Sequence, residues 1–125
     1  MNAVLDASAL LAWLQAEPGG ELIESELASA AISSLNWSEV LQKSLAHGVE
    51  ISGLRADMEA LGLRILPFDA SDAELAARLG APGSGLSLAD RACLALGLRH
   101  GVPVWTADRI CAQVSLDVPV RFIRG

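Results

Sequence analysis

The apolar positions change their period along the chain, and those changes predict the elements. Ala3-Val4-Leu5 is a short unbroken apolar run that stops at Asp6, the pattern of a buried strand. From Ser8 onward Leu10, Leu11 and Leu14 recur at helical spacing until Pro18-Gly19-Gly20 breaks the pattern. Leu22, Ile23 and Leu27 form a second short helical stripe, and residues 30–33 are a weak strand candidate. Asn36 is expected to open a stronger helix carrying Val40, Leu41, Ser44 and Leu45 on one side and closed by His47-Gly48. Leu54, Met58 and Leu61 keep the helical period up to Gly62, the expected C-cap. Residues 63–68 (LRILPF) read as a second clear strand. Asp69 or Ser71 then caps a helix with Leu75, Ala76 and Leu79 facing inward. After a Gly/Pro/Ser loop over 80–85, Leu88, Ala92, Ala95, Leu96 and Leu98 mark a helix running to Gly101. Residues 102–106 and 118–123 supply the last two strands. Continuously apolar strands alternating with helices predict one α/β domain over residues 1–125, its parallel sheet covered on both faces.

Composition narrows the class. With 52% hydrophobic and 19% charged residues among 125, the chain is not intrinsically disordered. Fifteen Asp and Glu against nine Lys and Arg give a net charge of −6, which argues against a basic stripe for general polyanion binding. A metal-dependent enzyme on an anionic substrate stays open, because a bound cation reverses the local charge. The cysteines, Cys93 and Cys111, form no C-x-x-C pair, no disulfide framework and no zinc pattern, and read as two small buried apolar side chains. No signal-peptide pattern opens the sequence, and no apolar run approaches the roughly 18–20 residues of a bilayer span, so a soluble cytoplasmic protein without membrane contact is expected.

The placement of the acids matters more than their number. Ligands of open parallel sheets bind beyond the carboxyl ends of the strands. Asp6 ends the first strand, Asp108 follows the run ending at Thr106, and Glu39 and Asp90 are expected in the first turns of their helices. Four carboxylates from distant segments are thereby expected at one edge. Asn36-x-x-Glu39 and Ser87-x-x-Asp90 also read as capping boxes, as does Ser71-x-x-Glu74 with no site beside it. Asp6 differs, since an acid ending a buried strand is costly unless paired or metal-bound.

Other motifs are weaker. The stretch Gly80-x-x-x-x-Gly85-Leu86-Ser87 imitates a phosphate-binding loop, but Leu86 stands where that loop needs lysine. Asp6-Ala7-Ser8 lacks the second aspartate of a dehalogenase-type phosphatase, and a phosphoacceptor receiver would need a late lysine where Lys43 is the only one. Ser8 has no credible base. His47 and His100 precede glycines at helix ends, where a cation suits the helix dipole. Lys43 reads first as an i,i+4 partner of Glu39 and second as a phosphate contact. Arg91 and Arg109 follow site acids without a role that spacing alone fixes.

The segments VLDASALLAWL, NWSEV around Glu39, LSLADRACLALGL around Asp90 and VWTADR around Asp108 together resemble the PIN-domain nucleases, most closely the VapC-type ribonuclease toxins of type II toxin–antitoxin pairs. The resemblance covers nearly the whole chain in length, element order and motif spacing. It implies a three-layer PIN-like domain whose central parallel sheet has four to five strands flanked by helices. By it, Asp6, Glu39, Asp90 and Asp108 match the catalytic and metal-binding acids, with Ser8, Asn36 and Thr106 as supporting polar positions. A further acid or Asn often found shortly beyond the last aspartate is missing, since Cys111 and Ala112 follow, so either one or two ions are implied. The implied chemistry is phosphodiester hydrolysis of RNA assisted by Mg²⁺ or Mn²⁺, hard cations that favour oxygen ligands. The implied partners are an RNA substrate, a small VapB-like antitoxin and a second copy in a homodimer. With few aromatic residues no broad base-stacking platform is expected, and no substrate-binding residue is assigned. A PIN nuclease of RNA processing outside a toxin pair, and a non-catalytic PIN-like interaction module, stay as alternatives.

Overall fold

In a computed structural model that describes residues 1–124, five parallel strands form one sheet in the order β3-β2-β1-β4-β5. The strands are β1 (Ala3–Leu5), β2 (Ala30–Ser33), β3 (Arg64–Leu66), β4 (Val104–Thr106) and β5 (Val120–Phe122). The helices are α1 (Ala7–Leu14), α2 (Gly20–Glu24), α3 (Ser34–Ala46), α4 (Leu54–Ala60), α5 (Ala70–Arg78), α6 (Leu88–His100) and α7 (Arg109–Ala112), and a 3₁₀ turn spans Leu27–Ser29. Gly125 lies outside the described residues, so the expected domain is described up to its last residue but one.

Side-chain alternation along the strands divides the core into two. Leu5, Ala30 and Ile32 pack with Leu10, Ile23, Trp37, Val40 and Met58 on one face. Val4 and Val104 pack with Cys93, Leu94, Leu96 and Cys111 on the other. The three layers anticipated from the resemblance are therefore present. Gly97 lets α6 approach the sheet: a Cβ there would overlap Val104 Cγ2. The sheet runs outward from β1 in both directions, to β2 on one side and β4 on the other. That arrangement is a topological switch point, where a crevice opens at the carboxyl edge.

Several expected boundaries shift. The weak candidate over residues 30–33 is a fully buried central strand, whereas the run over 63–68 shortens to the edge strand β3, exposed at Arg64 and ended before Pro67. Helix α3 starts at Ser34, capped by Ser33, whose hydroxyl accepts from Leu35 N. Asn36 is thus no cap, and Glu39 sits in the second turn rather than the first. The capping box of α5 is Asp69 with Asp72, not Ser71 with Glu74, because the acid earlier in the chain takes the cap. Val49 N bonds to Ser44 O and Gly48 N to Leu45 O, closing α3 with a left-handed residue that glycine supplies at φ +75°. Among the described residues no helix is long and apolar enough to cross a membrane.

Candidate active site

Asp6 is where β1 becomes α1, and its carboxylate does two jobs. Oδ1 accepts the amide of Ala9 at 2.8 Å, capping α1, and the hydroxyl of Ser8 at 2.7 Å. Oδ2 accepts the hydroxyl of Thr106, one hundred residues away at the end of β4. The Ser8 and Thr106 oxygens in turn accept the amides of Ala107 and Asp108, each at 2.9 Å. These bonds lock the carboxyl ends of the two central strands into one polar cluster. Asp6 is only 4% exposed. Burial pushes its carboxyl up from 3.8 to about 6, against the hydrogen bonds from Thr106, Ser8 and Ala9, and the nearby charge of Asp90 adds to the rise.

The other three acids are half-buried around it. Asp90 forms the predicted capping box of α6: its amide donates to Ser87 Oγ at 3.1 Å and its Oδ2 accepts Ser87 N at 2.9 Å, leaving Oδ1 uncommitted. Asp108 caps the short helix α7, which the periodicity did not predict, through Oδ1 and the amides of Ile110 and Cys111. Neither of those bonds involves Oδ2. Glu39 pairs loosely with Lys43 at 3.8 Å, the expected i,i+4 contact.

The charges of the acids also reach two buried thiols. Burial raises the Cys93 thiol well above its ordinary value, and Asp6, Asp90 and Glu39 all contribute. Burial likewise pushes Cys111 up to about 12, with contributions from Asp6, Asp90 and Asp108. Both are free and buried, inert as the sequence suggested.

Asn36 ties α3 to α6. It is 1% exposed, and its Nδ2 donates to Ala89 O at 2.9 Å, one residue before Asp90. Its Oδ1 is buried without a hydrogen-bond partner, an orphaned acceptor close to the acids. Four carboxylates, three of them (Glu39, Asp90 and Asp108) with an uncommitted oxygen, and a spare amide carbonyl are hard donors, the type that suits Mg²⁺ or Mn²⁺. Among the described residues no three His, Cys, Asp or Glu side chains stand close enough to form a ready-made metal cluster. The donor chemistry therefore fits a divalent cation, while the separation leaves Glu39, Asp90 or Asp108 some distance to close.

Three basic residues fall out as follows. Arg91 turns away from the acids, and its Nη1 bonds to Ala76 O at 3.2 Å, packing α6 on the end of α5. Arg109 lies over the Phe122 ring at 5.1 Å. Arg124 binds Pro18 O and Glu17 across more than one hundred residues, a contact no local sequence signal announces. With Glu17, Lys43, His47, Ser8 and Gln15 it lines a cleft of about 430 Å³ that Asp108, of the four acids, also lines.

A sequence profile of the PIN domain matches residues 3–116. No match was found among curated proteins by sequence. Several solved structures share the fold. A toxin–antitoxin complex from Klebsiella pneumoniae contains a chain 21% identical, with 94% of this chain and 95% of that chain covered and a TM-score of 0.73. In DNA-bound VapBC from Salmonella typhimurium the identity is 14%, the coverage 98% of both chains and the TM-score 0.68. FitAcB from Neisseria gonorrhoeae gives 21%, 97% of both chains and 0.66.

Proposed function

Because the chain belongs to the PIN-domain family, we propose that it is a single-domain, metal-dependent endoribonuclease and the toxin of a VapBC-type pair. Asp6, Glu39, Asp90 and Asp108 are its catalytic and metal-binding residues in this reading. The observation that carries it is the buried Asp6 carboxylate at the carboxyl edge of β1 and β4, held by Ser8 and Thr106, with Asp108 bonded to the same Thr106 hydroxyl. Toxin–antitoxin and VapBC assemblies among the similar structures support a small VapB-like antitoxin as partner and a cytoplasmic setting. A homodimer belongs to the same proposal.

The four carboxylates would hold one or two Mg²⁺ or Mn²⁺ ions, with Asn36 Oδ1 as an additional acceptor for a ligand or its water. When bound there, such an ion would supply charge neutralisation for the phosphodiester and a lowered pKa for a bound water. The chain's own residues do the positioning. Ser8 and Thr106 bond to both oxygens of Asp6 and hold its carboxylate in one orientation. The α7 amides hold one oxygen of Asp108 and direct the other outward. Asn36 anchors the first turn of α6 and with it the height of Asp90.

The direct test is cleavage of a mixed RNA substrate. Activity is expected with Mg²⁺ or Mn²⁺, and loss of at least a hundredfold in EDTA or in Asp90→Asn, with the far-ultraviolet spectrum unchanged. Undiminished cleavage in either case refutes the metal mechanism. Growth arrest on induced expression that requires Asp90, and that a co-expressed neighbouring small protein relieves, tests the toxin assignment separately.

A further inference from the structure

The acids place the scissile phosphate but say nothing about where the rest of the strand lies. The chain has only nine Lys and Arg residues, so the position of each cation is informative. Arg91 is spent on Ala76, and Arg99 is paired with Asp69 and Asp72 on the far side of α6. Arg109 and Arg121 cover the rings of Phe122 and Trp105, at 5.1 Å and 5.6 Å. Lys43 and His47, one turn apart at the end of α3, and Arg124 from the far end of the chain instead line the same cleft as Asp108.

Each of the three is set up to release or offer a donor. Lys43 is 52% exposed, and its 3.8 Å contact with Glu39 is at the outer limit of an ion pair, easily exchanged for a phosphate oxygen. Arg124 is held in place through Nε on Pro18 O and Nη2 on Glu17, and neither contact uses Nη1. His47 lies 2.9 Å from the Lys43 carbonyl through Nδ1, so that nitrogen carries the proton and the ring is fixed with Nε2 outward from the helix end. Two cations, Lys43 and Arg124, share the cleft with two carboxylates, Asp108 and the Glu17 that holds Arg124. A strand whose scissile phosphate lies at the acids would meet cations at its neighbouring phosphate.

We infer that this cleft receives the single-stranded RNA backbone on one side of the scissile bond, with Lys43, His47 and Arg124 binding the adjacent phosphate. The inference rests on the nuclease reading and adds the path of its substrate. Contacts of this kind act through charge, so they contribute affinity that falls with salt and little base preference.

The test measures binding rather than turnover. Anisotropy of a 5′-fluorescein-labelled 12-residue oligouridylate is followed with the Asp90→Asn protein as parent, over 25–200 mM KCl. Lys43→Gln and Arg124→Gln are expected each to weaken binding about fivefold at the lowest salt and to reduce the slope of log K against log salt by about 0.7. Arg109→Gln and Arg121→Gln should leave both unchanged. Lys43 is exposed and its replacement cannot unfold the chain, so it decides the matter should Arg124→Gln lower the melting temperature. A parent that binds with affinity and slope unaltered by both replacements overturns the cleft and leaves the nuclease reading standing. Losses at Arg109 and Arg121 instead move the strand to the other side and also overturn it. A parent that fails to bind RNA at all refutes the substrate class and the cleft together.

Discussion

Replacing Asp6 by Asn should make the metal-free protein more stable while removing its activity. In the folded chain the Asp6 carboxyl is raised from 3.8 to about 6 by burial, so the native state holds a proton that the unfolded state has released. The sign follows from that difference. The contribution of this group is most favourable below about pH 4, falls as pH rises through the interval from about 4 to 6, and carries the full cost of the buried charge above it. The shift corresponds to about 3 kcal/mol at neutral pH, at about 1.4 kcal/mol per pH unit. Asn keeps the acceptor for Ala9 and Ser8 and presents an amide to Thr106 in place of an oxygen, so most of the hydrogen bonding survives without the charge. In EDTA at pH 7.5 the variant should melt on the order of 10 °C above the parent, the gap closing towards pH 4. Adding Mg²⁺ should reverse the order by stabilising only the parent, since ligand bound to the native state raises its stability by mass action. Parallel melting profiles of the two proteins from pH 4 to 7.5 would refute the account of Asp6 as a buried, destabilising charge.

Thr106→Val removes the hydroxyl that donates to Asp6 and accepts from Asp108, and should cost about 1.5–3 kcal/mol in urea unfolding, more at pH 7 than at pH 4. Gly97→Ala should destabilise the fold by about 1–3 kcal/mol, read as a lower urea midpoint with an unchanged m-value, because the new methyl overlaps Val104. In the native protein Cys93 and Cys111 should react with a disulfide reagent only at the rate of unfolding, and at least a thousandfold faster in 6 M guanidinium; rapid native labelling would contradict their burial.

The carboxylates that end strands were legible in the sequence because a buried strand ending in an acid is costly without a purpose. Asp6 announced itself in that way, while Asp108 was marked only by its place two residues after the run ending at Thr106. The capping box of α6 was equally plain, since Ser87 and Asp90 lie at the required spacing before an apolar stripe. Helix starts were less so. Ser33-Ser34 lies directly behind the apolar Ala30-Ala31-Ile32, and the same serine both ends β2 and caps α3, so Asn36 looked like the first helical signal. That displaced Glu39 by nearly a turn. The chain also holds contacts that spacing cannot express. Arg124 with Glu17 and Asn36 with Ala89 join residues 107 and 53 positions apart. Only the closed sheet brings them together, so neither the cleft nor the orphaned Asn36 oxygen had a signature along the chain.

The bond between Asp6 and Thr106 has a bearing on how such a protein is made. The first strand emerges from the ribosome early, yet its carboxylate waits for β4, one hundred residues later, before its second oxygen has a partner. At about 5–20 residues per second that interval is roughly 5–20 s. The remaining pairing of β4 with β5 comes later still. Contacts of such long separation also form slowly once the chain is complete. A chain interrupted before residue 108 therefore carries three of the four acids and lacks the β4 partner that holds Asp6.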